Sequence, residues 1–485
     1  MTIKMGSLKM HKLSPVDAAF LRMETPRSPM HVGALMRFEL PPRAPKDFLQ
    51  RLLARMREHP FMPEPFGYRL ASARPRQLRP RWVPAEVDMD YHLRHSALPR
   101  PGGERELGVL VERLHSHPLD LHRPLWEAHV IEGLAGNRFA IYFKAHHCAI
   151  DGIGAVRMVQ QWLSADPKDT RVTGPWMLGQ KAGEPDAAAA TPWERFAEPL
   201  RQASEQLRSL ADLARGITRM SRGEDSPTRG SLSTPRSVIN VPVSPQRRLG
   251  TQLLSLDRLR AVAAQTESTV NDVLLAIVGG ALRRYLLDME ALPERSLLGS
   301  VPMALPRPDG KPGNAVAGFV CPLGTHLADP LERIALVRRV TRRAKTEMSR
   351  MSATALDQLA LLGISPLLLG QMLGVLPKLP PIFNLVVSNV VLSKTPLYLM
   401  GARLEAMYPV SFLFDGYALN VTLVGYCDQV AVGFLGCRNA LPRLQRLAIY
   451  TAEGLEETER ALGLGKAEAV AKPKARPTSR KTAKP

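Results

Sequence analysis

Apolar positions along this chain repeat with two different periods. Phe139-Ala140-Ile141-Tyr142-Phe143-Lys144-Ala145 is a run of apolar, β-branched and aromatic residues of strand length, and residues 152–163 follow with apolar positions at helical spacing. Residues 47–59 and 272–287 read as further helices, and 383–391, 418–426 and 429–435 as further strands. The mixture predicts an α/β protein. At 485 residues the chain is longer than one core serves, so two domains with extensions are expected.

The pattern also divides the chain. Residues 13–165 alternate strand-like and helical runs and form the first expected domain. Over 166–250 the composition shifts to Pro, Ala, Ser, Gly and charge, as in a crossover between domains. Within it Trp193, Phe196, Leu200, Ala203, Leu207, Leu210 and Ile217 recur at helical spacing, with Arg195, Arg201, Arg208, Arg215 and Arg219 on other faces. This reads as an amphipathic crossover helix packed on a domain, with a basic helix at an anionic membrane as the alternative. The second domain is expected over 251–464. Residues 359–377 carry no charge and approach the length of a bilayer span. Gly363, Ser365, Pro366, Gly370, Gln371 and Gly374 interrupt them, so a buried or monotopically inserted helical segment is expected instead of a span.

Composition and charge narrow the setting. Hydrophobic residues make up 45% of the chain, enough to fill two cores. Cys148, Cys321, Cys427 and Cys437 show no disulfide-like spacing, and Lys4, Lys9 and Lys12 break up the apolar core that a signal peptide needs. A cytoplasmic protein is expected. The net charge is +20, part of it in residues 465–485, where Lys466, Lys472, Lys474, Arg476, Arg480, Lys481 and Lys484 oppose only Glu468. That tail is expected to be a disordered, solvated appendage, with attraction to the phosphates of anionic lipid or nucleic acid as the alternative. It lacks the interleaved aromatics of a single-strand binder, so no specific nucleic acid is expected.

Candidate chemistry concentrates in His146-His147-Cys148-Ala149-Ile150-Asp151-Gly152, where the predicted strand ends and the predicted helix begins. Rigid elements on both sides hold an imidazole in one orientation, as general-base catalysis requires, and an unperturbed imidazole is mostly neutral near pH 7. Neighbouring side chains on extended backbone face opposite ways. One histidine, assigned as His147, is the base, and His146 packs or hydrogen-bonds. Asp151 can cap the helix, pair with an arginine or orient His147, with the first two preferred. Gly152 lets the backbone turn or approach a ligand. Cys148 reads as a buried small residue. His115, His117 and His122 lack paired Cys ligands, so no metal is expected. Gly152-Ile153-Gly154 lacks the third glycine of a dinucleotide fingerprint, and neither a GxSxG elbow nor a Walker A loop is present.

These seven residues resemble the HHxxxDG motif of the CoA-dependent acyltransferase superfamily, and further blocks narrow the resemblance to the bacterial wax ester synthase/diacylglycerol acyltransferase family. Leu13-Ser14-Pro15-Val16-Asp17-Ala18-Ala19-Phe20-Leu21 and Pro29-Met30-His31-Val32-Gly33-Ala34-Leu35 are similar to its N-terminal signature. Arg123-Pro124-Leu125-Trp126-Glu127 resembles its PLW block, Asn271-Asp272 its ND block, and Ser388-Asn389-Val390 the start of its SNVPGP block. The ordered match runs from about Leu13 to Leu441.

The resemblance implies two chloramphenicol-acetyltransferase-like α/β domains with the active site in a tunnel between them. It implies that His147 takes the proton of a diacylglycerol or long-chain alcohol hydroxyl, whose oxygen attacks a fatty acyl-CoA thioester and gives triacylglycerol or wax ester. Acyl-CoA is then a co-substrate and no cofactor is implied. Pro124, Leu125, Trp126, Ser388 and Asn389 become substrate-binding or structural candidates. Asn271 is a candidate oxyanion donor, although a cap or structural role for the Asn271-Asp272 pair is preferred. Arg307 is a candidate partner for Asp151. A lipid acceptor implies peripheral contact with the inner face of the membrane or with lipid inclusions, and spread positive charge suits CoA. Three departures stand out: Val391-Leu392-Ser393 replaces the usual Pro-Gly-Pro, and Val301-Pro302-Met303-Ala304-Leu305-Pro306-Arg307 both replaces the Ser of the usual VPVSLR-like stretch and shifts the expected arginine by one position. Acceptor choice is where they bear. A different hydroxyl acceptor, such as a polyketide-type alcohol, and a catalytically silent lipid binder are the alternatives.

Overall fold

A computed structural model describes residues 10–58, 62–77, 79–178, 234–305 and 315–464. The helix expected between Trp193 and Ile217, Arg307 and the basic tail lie outside the described residues.

The first half runs β1 (His11–Lys12), α1 (Pro15–Met23), β2 (His31–Glu39), α2 (Phe48–Arg57), β3 (Tyr68–Leu70), β4 (Arg81–Pro84), α3 (Met89–His92), β5 (Leu93–Ala97), α4 (Glu104–Ser116), β6 (Trp126–Leu134), β7 (Arg138–His146) and α5 (Gly152–Trp162). The second half runs β8 (Arg247–Ser255), α6 (Leu256–Gln265), α7 (Val270–Asp288), β9 (Leu298–Leu305), β10 (Ala315–Pro322), α8 (Pro330–Ser349), α9 (Ala353–Leu373), β11 (Leu385–Ser393), β12 (Tyr398–Leu399), β13 (Ala402–Val410), β14 (Leu419–Tyr426), β15 (Gln429–Cys437) and α10 (Gln445–Ala461). The elements expected from periodicity are all present where the chain is described.

Among the described residues two six-stranded sheets form, ordered β12-β13-β2-β7-β6-β5 and β10-β9-β11-β14-β15-β8, beside a small sheet β1-β4-β3. The chain halves and the sheets do not coincide. Strand β13 comes from the second half yet pairs antiparallel with β2, Met407 opposite Met36 and Val410 opposite Gly33. It covers an edge of β2 that would otherwise present a row of unpaired N–H and C=O groups. It also lies against β15, where a Cβ on Gly433 would stand 2.1 Å from the Pro409 oxygen, so the two sheets meet at backbone distance. Strand β8 begins at Arg247, inside the segment expected to be crossover.

Helix α7 is buried on most sides, from Val273 through Leu286, as expected of a helix apolar all round. A separate apolar cluster fills the seam between the halves: Phe20, Met30, Leu125, Cys148 and Ala149 pack with Leu298, Leu367, Phe383, Phe414 and Tyr417. Helix α9 contributes Leu367 to this cluster and ends at Gly374, whose left-handed φ of 69° closes it. On the outer side of its last turns Leu369 is 58% and Leu373 73% exposed. Among the described residues no helix is long and apolar enough to cross a membrane.

Candidate active site

The two histidines sit at the end of β7, in the first sheet's centre, and diverge as extended backbone requires. The His146 N–H donates to the Leu125 carbonyl at 2.9 Å and the His147 N–H to the Met30 carbonyl at 2.7 Å, so the residues just before β6 and just before β2 grip both backbones. His146 is fully buried. Its Nε2 lies 2.6 Å from a Glu24 carboxylate oxygen, and its Nδ1 accepts the Cys148 N–H at 3.1 Å, which leaves the proton on Nε2. Burial opposes charge on this ring, but Cys148 and Glu24 pull the other way and the net direction is upward.

The His147 side chain turns into the seam and is half-buried. Its ring stacks on Phe20, centroids 3.8 Å apart and planes at 19°, and meets the edge of Phe412 at 5.4 Å and 83°. Burial lowers its pKa to about 4, with Asp151 pulling upward and His146 pushing down. The imidazole is therefore a neutral acceptor at neutral pH.

Asp151 is exposed and caps α5, accepting the Gly154 N–H at 2.6 Å, and it acts on His147 through its charge. Gly152 starts that helix with no atom within 4 Å of the place a Cβ would take, so the turn does not demand glycine and the space beside the site stays open. Asp17, on α1, is also close: burial raises its pKa, and Asp151 adds to that.

Other expected residues fall elsewhere. Pro124, Leu125 and Trp126 are buried and structural: Trp126 Nε1 donates to the Phe66 carbonyl at 2.9 Å and its ring stacks on Trp176 at 4.6 Å. The cap of α7 bears out a capping role for Asp272 and corrects the N-cap position expected at Asn271. Thr269 is the N-cap, Asp272 closes the capping box by accepting the Thr269 N–H at 2.9 Å, and Asn271 lies inside the first turn. Asn271 Oδ1 instead accepts from Asn389 Nδ2 at 3.2 Å, which joins the ND block to β11. Ser388 is half-buried and Asn389 exposed on that strand. Where Pro-Gly-Pro was expected, Val391-Leu392-Ser393 continues β11 through a register shift against β14. Among the described residues no cluster of three metal-ligating side chains forms: His115 bonds Tyr142 and Ser411, and His122 pairs with Asp120.

Several residues of the site escaped the sequence reading. Phe20 lay within a quoted motif, but nothing in its spacing showed that it would face His147. Glu24 and Phe412 carried no local signal, because each reaches the histidines only through tertiary packing.

Known proteins resemble this chain over most of its length. Residues 13–274 match the wax ester synthase/diacylglycerol acyltransferase catalytic domain and residues 312–459 the WS/DGAT C-terminal domain. A Mycobacterium tuberculosis protein bearing the name diacylglycerol O-acyltransferase is 48% identical over 453 residues, 93% of this chain and 99% of its own. The O-acyltransferase WSD of Acinetobacter baylyi is 35% identical over 450 residues, 92% of this chain and 96% of its own. The solved wax ester synthase/diacylglycerol acyltransferase from Marinobacter aquaeolei superposes with a TM-score of 0.75 at 35% identity, covering 94% of this chain and all of that one. A condensation domain of the calcium-dependent antibiotic synthetase, 17% identical with a TM-score of 0.56, shares the two-domain acetyltransferase-like fold alone.

Proposed function

The chain belongs to the wax ester synthase/diacylglycerol acyltransferase family, and from that premise we propose that it moves a fatty acyl group from acyl-CoA to the hydroxyl of diacylglycerol or a long-chain alcohol, with His147 as general base. The observation that carries the role is the ring itself: neutral, clamped between two aromatics, and facing the seam that both halves build. The alcohol gives its proton to the free imidazole nitrogen as its oxygen attacks the thioester carbon. The tetrahedral oxyanion collapses, the C–S bond breaks, and the imidazolium returns the proton to the departing thiolate. An imidazolium near pKa 4 is a far stronger acid than a thiol near about 8.5, so the return is downhill. The forward transfer is uphill and must accompany attack, which places the demand on positioning. Asp151 favours the imidazolium that forms in between. The reaction takes acyl-CoA as co-substrate and asks for no cofactor.

We further propose peripheral contact with a lipid surface. The inward face of α9 lines the seam cluster while Leu369 and Leu373 project outward from the same helix, and no Asp or Glu occurs between Asp357 and Glu405. A membrane or lipid inclusion touching this helix would bring the acceptor beside the site from the cytoplasmic side. Binding to anionic vesicles that weakens in Leu369→Glu with Leu373→Glu tests it; unchanged binding contradicts it.

The activity is tested by acyl-CoA thiol release with the ester product identified, run in parallel against diacylglycerol, a long-chain alcohol and a polyketide-type alcohol. Turnover with either of the first two supports the proposal. Turnover with the third alone assigns the altered acceptor, and no turnover with any leaves the silent lipid binder.

A further inference from the structure

The segment after β13 is pinned at alternate residues by the first half of the chain. His115, on α4, bonds the Ser411 carbonyl through Nε2 at 2.7 Å; Ser28 Oγ donates to the Leu413 carbonyl; Arg27 pairs with Asp415 at 2.8 Å. Between these anchors Phe412 and Phe414 meet edge to face at 5.1 Å, and Phe412 stands against His147.

His115 is suited to a fixed anchor. A carbonyl only accepts, so Nε2 carries the proton, and Nδ1 is left to accept from the Tyr142 hydroxyl at 2.7 Å. The backbone oxygen of His115 accepts from His31 Nε2 at 2.8 Å. Both ring nitrogens are thus used in one tautomer, and burial, reinforced by Lys144, keeps the ring neutral.

We propose that His115 is a positioning residue for the reaction: by holding Ser411 across the seam it sets Phe412 against His147 and so fixes the angle of the base. The proposal rests on His147 acting as that base. The titratable groups acting on His147 are Asp151 and His146 on its own segment, with Asp17 and Glu24 facing His146 from the α1 side, and neither His115 nor Phe412 bonds to any of them.

The experiment compares wild type with His115→Ala, His115→Gln and Phe412→Leu in acyl-CoA thiol release, with kcat, both KM values and the pH dependence. In parallel, carbethoxylation of His147 across pH is followed by mass spectrometry, a readout independent of turnover. His115→Ala and Phe412→Leu are expected to lower kcat by roughly ten- to a hundredfold with both KM values nearly unchanged. In both, the acid limb and the carbethoxylation midpoint move upward toward the usual imidazole range as water reaches the ring. His115→Gln, which keeps a donor for Ser411, is expected to restore most of kcat. Unchanged kcat and midpoint in His115→Ala overturn the proposal, as does a loss that Gln does not restore while Phe412→Leu is innocuous. If His115→Ala does not fold, Phe412→Leu decides by the same two readouts. Full turnover in His147→Ala would remove the base assignment, while the carbethoxylation midpoints still report whether His115 and Phe412 set the ring.

Discussion

His147 is held neutral by apolar company, and its pH behaviour follows from that. With a pKa near 4, the imidazole proposed as base is lost to protonation only as pH falls through about 4, so the acid limb of kcat/KM is expected well below the ordinary imidazole value of about 6.5. Initial rates against pH check it, and half-maximal activity near 6.5 would contradict it. Asp151→Asn separates the two roles of its side chain. The amide oxygen still caps α5, but the charge that draws the His147 pKa upward is gone, so the limb is expected to move to still lower pH with thermal stability nearly unchanged. At this scale the motif made the divergence of His146 and His147 legible, because alternation along a strand is a local property. Phe20, Glu24 and Phe412 were hidden because they approach the histidines from other elements.

Strands β6 and β7 bury an ion pair between them. Lys144 is fully buried opposite Glu127, its Nζ 3.4 Å from the carboxylate and bonded to the Leu114 and His117 carbonyls at 3.0 and 2.9 Å. Burial alone would raise the Glu127 pKa, but His129, Lys144 and Arg94 reverse this and hold it at about 2. Its folded value lies below its unfolded one, so the stability it contributes is present above about pH 4.5 and is lost as pH falls toward 2. Lys144→Met leaves Glu127 buried without its strand partner and is expected to cost about 3–5 kcal/mol, measured by denaturant unfolding at neutral pH. A loss under about 1 kcal/mol would contradict it. Periodicity placed β7, a continuous apolar run that tolerates one lysine, and did not single out β6. It misplaced the cap of α7 because Thr269, Asn271 and Asp272 are all capping residue types, and only the position of the first turn selects among them.

In the whole molecule, function depends on how the halves meet, and that was the least legible part of the sequence. Nothing local in 402–410 shows that this strand joins the first sheet, because its partner β2 lies hundreds of residues earlier and pairing is settled by the free edge it covers. The close approach of β13 to β15 gives a direct test. Gly433→Ala forces the Pro409 carbonyl to move and is expected to destabilise the protein by about 1–3 kcal/mol, with a lower Tm and reduced turnover; unchanged Tm would mean the seam gives way freely. The central claim is that this seam presents one imidazole to an alcohol and an acyl thioester together. Its most direct measurement is acceptor-dependent thiol release from acyl-CoA by wild type and His147→Ala, with folding checked in both. A loss of about a hundredfold or more in the variant is predicted, and thiol release at the wild-type rate from a folded His147→Ala protein would contradict the account.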